Sequence, residues 1–462
     1  MFPGYISGIA AQETTMKTLF WFRRDRRLQD NEALCAAVAT ASELHTLFVF
    51  PGDLRLLSPL RQASLIESVR SLDESIPSGI NTAVGEPQAK ILELCKQEEI
   101  EQVFATRAFD TEGMLEQQRV EDSLRSIGVS LQLVGSYYAV EPGTVRKDDG
   151  TPVRVYTPFY KRWSLFEPGV PFKLNLSSVN WVKTSSNAIP ELKGETPFVV
   201  RASEDFALRT WERFKVRALK NYGEDRNRTD LAGTSHLSHA LAHGEIHPRT
   251  LLAELGHSPS EEVYRKELAW REFYADVLFN NPHTLTDYYE PKFSKMRYNA
   301  PSGIAFEAWK TGKTGYPIVD AAMRQLVQSG WMHNRSRMIV ASFLVKDLHI
   351  EWQHGAQFFE DNLTDYDPAS NSHGWQWTAG CGTDASPYYR VFNPTLQGVK
   401  FDPEGDYVRR WVPELRHIED GSIHEPWRLI DGYSHGYVDR IVDHDVERAD
   451  SLARLEELKA RA

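Results

Sequence analysis

The hydrophobic periodicity of this chain changes near residue 140, and that change restricts the fold more than any other feature. Before it, short apolar runs alternate with amphipathic stretches, which predicts strands at 18–22, 44–50, 102–105 and 129–134 and helices at 32–40, 59–76, 87–98 and 111–127. This rhythm indicates a doubly wound parallel sheet with helices on both faces. From residue 201 to about 430, one helical pattern follows another with few strand signals. We therefore predict an α/β domain followed by an all-α domain.

The 462 residues are enough for two domains with separate cores. We predict the α/β domain at 16–140, a connector rich in Pro, Ser and Thr at 141–200, and the helical domain at 201–462. Residues 1–15 lack the basic start and long apolar run of a signal peptide, and we predict that they form a disordered extension.

Charge and cysteine content exclude several functional classes. The net charge of −11 argues against indiscriminate nucleic-acid binding, so any DNA contact must use a local basic patch. The three cysteines lie far apart without metal-ligand spacing, which gives no disulfide framework and fits a reducing cytoplasm. No apolar run approaches the length of a membrane span, so we expect no membrane association.

The segment 373–394 concentrates aromatic rings and glycines. Trp375 and Trp377 lie two residues apart, and a turn of small residues follows them. Flat rings beside glycines suit a pocket for another flat ring, whether a nucleobase, a sugar or an isoalloxazine. Upstream, Asp365, Asp367 and His373 are placed on a loop, but they lack EF-hand spacing and we predict no metal site there.

A predicted helix around 265–274 carries an unusual face. Glu267, Trp270, Arg271 and Tyr274 follow the spacing i, i+3, i+4 and i+7, so their side chains share one side of the helix. A carboxylate, an indole and a guanidinium together make a poor core face. Without further information, an amphipathic helix with one exposed ion pair is the simpler interpretation.

Together these motifs resemble the photolyase and cryptochrome flavoproteins over nearly the whole chain, most strongly from 314–320 to 411–415. The resemblance implies non-covalent FAD in the helical domain. It also implies an antenna chromophore in the α/β domain. Methenyltetrahydrofolate, 8-hydroxy-5-deazaflavin and an empty site all remain open, because the Asn-Glu pair used for the folate is not evident near 110–113. Three cysteines count against the iron–sulfur branch of the superfamily, which needs four.

The resemblance also assigns a lesion pocket. The residues implied to contact the damaged bases are Glu267, Trp270, Asn334, Met338 and Trp377. An indole supplies a stacking surface, and a carboxyl group can hydrogen-bond a base edge. Photolyases that repair the (6-4) photoproduct place two histidines where this chain has His333-Asn334, so the pattern favours cyclobutane dimers.

A second set is implied to bind FAD: Tyr222, Thr234, Ser235, His236, Leu237, Ser238, Arg337, Asp365, Asp367 and Asn371. Closely spaced hydroxyls at a helix start suit a diphosphate, because unpaired backbone N–H groups converge there. The aspartates are implied to contact the flavin ring edge or Arg337. Asn371 is implied to lie beside flavin N5, where plant cryptochromes carry Asp. An asparagine there favours a neutral radical or a fully reduced flavin.

Trp375 and Trp352 match the proximal and middle members of the family's electron-transfer chain, which reduces photoexcited FAD. Taken singly, each tryptophan is more often a core residue. The third tryptophan is missing, and Tyr298 is the nearest aromatic candidate. A tyrosine holds a higher-energy radical unless its proton leaves, so the third step is open.

The resemblance suggests phosphate contacts from Arg271, Arg335 and Arg390, with Lys161 and Arg226 as further candidates. The sequence therefore predicts a monomeric, cytoplasmic class I photolyase that repairs cyclobutane pyrimidine dimers in UV-damaged DNA. One alternative is a cryptochrome that senses blue light and repairs nothing. Another is an unrelated, colourless carbohydrate enzyme that uses Asp365 and Asp367.

Overall fold

We analysed a computed structural model of the chain. The structure describes residues 16–184, 187–192, 196, 201–384 and 389–461. The extension predicted at 1–15 lies outside these residues.

The α/β domain contains a parallel sheet of six strands in the order β3-β2-β1-β4-β5, with β6 also paired to β2. Crossovers from β1 in both directions make it doubly wound, as predicted. Its strands are β1 (Met16–Phe22), β2 (Ala41–Phe50), β3 (Asn81–Val84), β4 (Gln102–Thr106), β5 (Ser130–Val134) and β6 (Asn180–Val182). Its helices are α1 (Glu32–Thr40), α2 (Pro59–Ser75), α3 (Pro87–Glu98) and α4 (Thr111–Arg125).

Strand β1 is apolar on both faces because helices cover both sides of the sheet. Phe20 and Phe22 pack into the cluster that contains residues of α1 and α2. Leu19 and Trp21 point the other way, into the cluster that contains residues of α3 and α4. Successive side chains of a strand alternate between faces, so a strand between two helical layers reads as one continuous apolar run.

The described part of the predicted connector holds an α-helix and a strand that the sequence does not predict. Helix α5 (Tyr156–Trp163) packs against the helical domain through Phe159 and Trp163. Strand β6 then returns to the sheet and pairs with 43–45 of β2. The segment between the two domains is therefore part of both.

The helical domain is built on α10, a helix of 22 residues that opens with a capping box between Ser258 and Glu261. A short π-helix (Phe343–Asp347) continues α13. The helices are α6 (Glu204–Arg217), α7 (Tyr222–Asp225), α8 (Ser238–His243), α9 (Pro248–Glu254), α10 (Pro259–Asn280), α11 (Ile304–Thr311), α12 (Pro317–Ser329), α13 (Asn334–Ser342), α14 (Trp352–Asn362), α15 (Pro368–Ala379), α16 (Pro394–Phe401), α17 (Asp406–Trp411) and α18 (His444–Arg461). Among the described helices, none has the length and apolar character needed to cross a membrane.

Buried polar contacts join the two domains. Asp30 of the α/β domain accepts hydrogen bonds from Arg249 Nε at 2.7 Å and Thr250 Oγ1 at 2.7 Å. Arg24, just after β1, donates to Asp367 Oδ2 at 2.8 Å. Buried charges are stable only when they are paired, so these contacts fix how the domains lie against each other.

Candidate active site

A cavity of about 510 Å³ opens between α10, α13 and α15. This volume lies in the range of small-molecule and cofactor sites. Sixteen predicted site residues line it: Tyr222, Arg226, Ser235, Ser238, Glu267, Trp270, Arg271, Asn334, Arg335, Arg337, Met338, Asp365, Asp367, Asn371, Trp375 and Trp377. Residues far apart in sequence therefore meet at one place.

Helix α10 supplies the first wall of the cavity. Glu267, Trp270, Arg271 and Tyr274 all line it, which confirms the shared face predicted from their spacing. Glu267 Oε1 pairs with Arg226 Nη1 at 2.6 Å. Burial nevertheless raises the pKa of the Glu267 carboxyl group above its usual value. The loss of contact with water favours the neutral form more strongly than the charge of Arg226 favours the carboxylate.

Trp270 is backed by a second aromatic ring. Tyr156, at the start of α5, stacks on the indole with a centroid separation of 3.7 Å and an interplanar angle of 8°. One face of Trp270 is thus covered, and the rest of the ring borders the cavity. The sequence does not predict this partner, because Tyr156 lies 114 positions before Trp270 in the segment interpreted as a connector.

Arg271 is held inside the protein. Its guanidinium donates to the carbonyl oxygens of Tyr137 at 3.2 Å and Leu241 at 3.1 Å, and it lies over the ring of Tyr138. These contacts orient it between the domains. Its predicted role as a phosphate contact stays a prediction.

Helix α13 supplies the second wall. His333 is its N-cap, and His333 Nδ1 accepts a hydrogen bond from the Arg335 backbone N–H at 3.0 Å. Asn334 is exposed and Met338 half-buried at the cavity. The Arg335 guanidinium donates to Asn227 Oδ1 at 2.7 Å and packs over Phe401. Arg335 also lines the cavity, on the same helix as Asn334 and Met338.

The third wall begins with two buried aspartates. Asp365 Oδ2 accepts from Arg337 Nη2 at 2.7 Å, which is the predicted pairing. Asp367 caps α15 by accepting from the Ser370 backbone N–H at 2.8 Å, and it also pairs with Arg24. Burial alone would raise the pKa of the Asp367 carboxyl group, but Arg24 and Arg271 outweigh it and lower the pKa.

The rest of this wall is helical, so the prediction that places His373 on a loop is wrong. His373 lies inside α15, which Asp367 caps and Pro368 opens. Glycine, proline and polar residues make this segment resemble a loop in the sequence. Pro368 nevertheless opens a helix, because proline is well tolerated at the first helical position. From the same helix, Asn371 Nδ2 donates to the Ala356 carbonyl oxygen at 3.0 Å.

The predicted electron-transfer residues lead away from the cavity. Trp375 is 2% exposed and lines the cavity, and Trp352 is 1% exposed in the same apolar cluster. Tyr298 is half-buried and borders this cluster. Between Trp352 and Tyr298 lies Tyr288, which the sequence does not single out.

Other predicted residues lie outside the cavity. Thr234, His236 and Leu237 are near it in sequence but do not line it. Arg390 is exposed and lines a separate surface cavity of about 490 Å³. Lys161 is exposed in the last turn of α5. Their predicted roles stay predictions.

One group of potential metal ligands occurs among the described residues, away from Asp365 and Asp367. His349, Glu447 and Asp450 bring one ligand atom each within 4.8 Å of the others. Asp450 is already paired with Arg454 at 2.8 Å and Arg297 at 3.2 Å. Protein cations thus neutralise the charge that a metal would use.

Arg24, which pairs with the cavity-lining Asp367, is a residue that no sequence motif singles out. It follows β1 at the carboxyl end of a parallel strand, where α/β sheets usually place functional residues. The charged run Arg-Arg-Asp-Arg-Arg directly after Phe22 is the sequence feature that marks this strand end as functional.

Comparison with known proteins gives the family. The model of the DNA photolyase family matches residues 18–173, and that of the FAD binding domain of DNA photolyase matches residues 264–457. The deoxyribodipyrimidine photo-lyase of Vibrio cholerae is 37% identical, over 94% of this chain and 98% of its own length. The chain belongs to the DNA photolyase family. Membership of this family makes the protein an FAD-dependent DNA-repair lyase that acts on damaged DNA.

Solved structures support the same fold. A class III photolyase from Agrobacterium tumefaciens superimposes with a TM-score of 0.90 at 36% identity, covering 98% of this chain and 100% of the other. A cryptochrome from Synechocystis gives a TM-score of 0.84 at 25% identity, covering 96% and 99%. The predicted fold class is confirmed. Assignment to class I stays a prediction, because one of these photolyases is of class III.

The cavity fits the flavin of this family. Its walls come from residues 222–378, most of which lie in the part matched by the FAD-binding model. Asp365 Oδ1 is buried without a hydrogen-bond partner among the described residues, so it can accept one from a bound ring. The hydroxyls of Ser235 and Ser238 lie at the N-terminal end of α8 and suit a diphosphate. No covalent attachment is required by this arrangement.

Proposed function

We propose that this protein splits cyclobutane pyrimidine dimers in UV-damaged DNA by light-driven electron transfer. The observation that carries the proposal is the wall of the cavity formed by Trp270, backed by Tyr156, next to Glu267. A rigid indole beside a carboxyl group can stack on one base and hydrogen-bond another. The same cavity continues to Asp365 and Asn371, so one pocket can hold a lesion and a flavin together.

Arg337, Asp365 and Asn371 would hold the FAD ring, and FAD bound there in its reduced form would supply the light-driven one-electron chemistry that opens the dimer. The protein positions the reactants and excludes water. Photolyases, like other enzymes that act on a base within a duplex, extrude the target nucleotides from the stack. The cavity mouth, with exposed Asn334 and half-buried Met338, is where an extruded pair would enter.

Glu267 and Arg226 form an ion pair in the wall of the proposed lesion pocket. Because burial raises the pKa of Glu267, its carboxyl group takes up a proton more readily than an exposed one. A protonated carboxyl group donates one hydrogen bond and accepts another, which matches the edge of a pyrimidine. Arg226 is then free to approach the neighbouring phosphate.

The histidine pattern supports the choice of lesion. His333 Nδ1 is occupied by the backbone N–H of Arg335, and the next residue is Asn334 rather than a second histidine. A pair of histidines, as in (6-4) photolyases, is therefore missing at this helix start. This supports cyclobutane dimers as substrates.

The proposed DNA surface uses Arg226 and Arg335, which line the cavity, together with Arg390 and Lys161, which lie outside it. Arg390 and Lys161 are exposed and Arg335 is half-buried, so they can reach phosphate oxygens. We propose that the protein acts as a monomer, since the residues of the site come from one chain. We also propose that it works in the cytoplasm, since its three scattered cysteines fit a reducing compartment. The antenna site of the α/β domain is proposed to hold a folate or deazaflavin, or to be empty.

A cryptochrome is the second candidate, because a cryptochrome superimposes on the chain with a TM-score of 0.84. The decisive assay uses the purified holoprotein with chemically reduced FAD. Oligonucleotides that contain a cyclobutane dimer or a (6-4) photoproduct are incubated in blue light and in darkness. Light-dependent loss of the cyclobutane dimer alone is expected. Binding without loss of either lesion would identify a cryptochrome.

Trp375→Phe tests the electron-transfer assignment separately from repair. The change should block photoreduction of oxidised FAD, because it removes the buried indole nearest the cavity. Repair by chemically reduced protein should persist, since that electron comes from the flavin. If the reduced variant binds substrate but repairs nothing, Trp375 has another role.

A further inference from the structure

Tyr288 lies between the predicted second and third members of the electron-transfer chain. Its ring centroid is 6.2 Å from that of Trp352, with the rings perpendicular, and 6.5 Å from that of Tyr298. Tyr288 is 3% exposed. An oxidising hole that moves outward from Trp352 towards Tyr298 therefore meets Tyr288 first.

The phenol of Tyr288 has a proton acceptor in place. Its hydroxyl donates to Glu351 Oε1 at 2.9 Å, within the distance needed for proton transfer. Glu351 is the N-cap residue of α14, but its side chain makes no capping hydrogen bond, so the carboxylate is available to Tyr288. Glu351 is half-buried and can exchange a proton with water.

Tyr298 lies beyond Tyr288, with the two rings nearly parallel. The hydroxyl proton of Tyr288 points to Glu351. Burial raises the pKa of Tyr288 above its usual value, and the Glu351 carboxylate raises it further, so the phenol is protonated at neutral pH. Tyr288 thus starts with the proton that it must lose.

The indoles of Trp375 and Trp352 have no neighbouring group that could accept their proton among the described residues. The Nε1 atoms of Trp375 and Trp352 are buried and have no hydrogen-bond partner among the described residues. An oxidised indole at either position must therefore keep its proton and remain a cation. A charge without a nearby partner in the apolar core is unfavourable, which favours movement of the hole to a group that can become neutral.

We propose that Tyr288 is the terminal buried electron donor of this protein and that Glu351 accepts its proton. The inference rests on the proposed function, in which light drives an electron from Trp375 to the bound flavin. Trp352 then reduces the oxidised Trp375. The oxidant of Tyr288 is the indole radical cation of Trp352.

The step balances within three residues. One electron passes from Tyr288 to Trp352, whose indole becomes neutral again. The O–H bond of Tyr288 breaks, and the proton binds Glu351 Oε1. The products are a neutral tyrosyl radical and an uncharged carboxylic acid.

The experiment is flash excitation of the holoprotein with oxidised FAD, followed by transient absorption and electron paramagnetic resonance. The wild type should form a neutral tyrosyl radical, more slowly in D₂O. Tyr288→Phe should abolish this signal and leave a tryptophan radical cation. Glu351→Gln, which keeps the shape of the side chain, should also abolish it. Tyr298→Phe is the matched control and should retain the signal.

Several outcomes would overturn the proposal. A tyrosyl radical that survives in Tyr288→Phe but disappears in Tyr298→Phe would make Tyr298 the donor. An unchanged signal and D₂O effect in Glu351→Gln would remove Glu351 as acceptor. If the wild type forms no tryptophan radical either, the electron route of the proposed function fails together with this proposal. Flavin absorbance of each variant verifies that the pocket is intact.

Discussion

Asn371 contacts the cavity on one side and the backbone of α14 on the other. Asn371→Asp adds a negative charge to the flavin pocket and removes the donor to the Ala356 carbonyl oxygen. We expect the flavin to be more oxidised in aerobic preparations, because a carboxylate opposes added negative charge on the ring. Loss of the hydrogen bond should also cost about 1–3 kcal/mol of stability.

The measurement is the flavin absorbance spectrum in air, together with thermal unfolding. Asn334→Asp is the control, because it makes the same charge change at an exposed position of the cavity. Its spectrum should change less. Equal spectra for wild type and Asn371→Asp would place Asn371 away from the redox-active part of the ring.

Residue roles set by local geometry can be predicted from the sequence, whereas partners cannot. The shared face of Glu267 and Trp270 follows from helical spacing alone. The pairing of Arg24 with Asp367 joins residues 343 positions apart. Such a contact depends on how the two domains pack, and no local pattern contains that information. The resemblance to a family, not the spacing, connected Asp365 with Arg337.

At the scale of elements, α14 and α15 approach closely at Gly355. A Cβ atom at Gly355 would overlap the ring of Trp375 and lie 2.7 Å from Leu344 Cδ2. Gly355→Ala should therefore destabilise the protein by about 1–3 kcal/mol, as overpacked cores do. It should also slow photoreduction, because the Trp375 ring must move.

Gly223→Ala is the control for this change. Gly223 lies in helix α7, and the nearest atom to an added Cβ is Ser260 Oγ at 3.5 Å, an ordinary contact. Thermal unfolding and the rate of flavin photoreduction are measured for both variants. Wild-type values for Gly355→Ala would mean that the helices separate easily and that the position of Trp375 is not fixed by this contact.

The start of α17 depends on Asp402, whose carboxylate is fully buried and accepts from the backbone N–H groups of Tyr407 and Val408. Burial raises the pKa of Asp402 to about 7. The folded protein then binds this proton more tightly than the unfolded chain, whose aspartate has a pKa near ~4. Stability from this group is complete below about pH 4 and is lost as the pH rises to about 7.

The Asp402→Asn variant has no titratable group at this position. The stability that the protein loses between pH 5 and pH 8, followed as the unfolding temperature, should therefore be smaller by on the order of 2 kcal/mol. The variant should be less stable than wild type at pH 5, because one backbone N–H loses its acceptor. Asp406→Asn, at an exposed position of the same helix, is the control. A wild-type pH profile for Asp402→Asn would show that Asp402 is ionised throughout.

Element prediction succeeds where an element has one apolar face and a clear cap. Helix α1 begins at Glu32, as predicted, and the side chain of Asn31 before it accepts from the Leu34 backbone N–H. Strand β6 was missed because three residues carry no periodicity, and it forms only by pairing with β2. Helix α15 was missed because it faces both the cavity and the core, so its apolar residues make no stripe.

On the scale of the whole molecule, the α/β domain does more than stand beside the helical one. Its Arg24 pairs with Asp367 in the cavity wall, and the segment after it contributes Tyr156, which stacks on Trp270. The alternation of strands predicted the domain but not this contribution, because it depends on tertiary packing. Removal of the α/β domain should therefore disturb the flavin site directly.

The net charge of −11 makes DNA binding by this molecule depend on few contacts, which allows lesion recognition and phosphate binding to be separated. Trp270→Ala should weaken binding of damaged DNA by about 1–3 kcal/mol, because only extruded bases stack on the indole. Binding of undamaged DNA should stay nearly unchanged.

Arg335→Ala should weaken binding of both DNAs and lower the slope of log K against log salt by about 0.7–0.9. Arg125→Ala, on exposed α4, makes the same change in net charge and should leave the slope unaltered. Affinities for both oligonucleotides are measured across a salt series. Equal losses on both from Trp270→Ala would mean that Trp270 is a core residue and that the lesion pocket lies elsewhere.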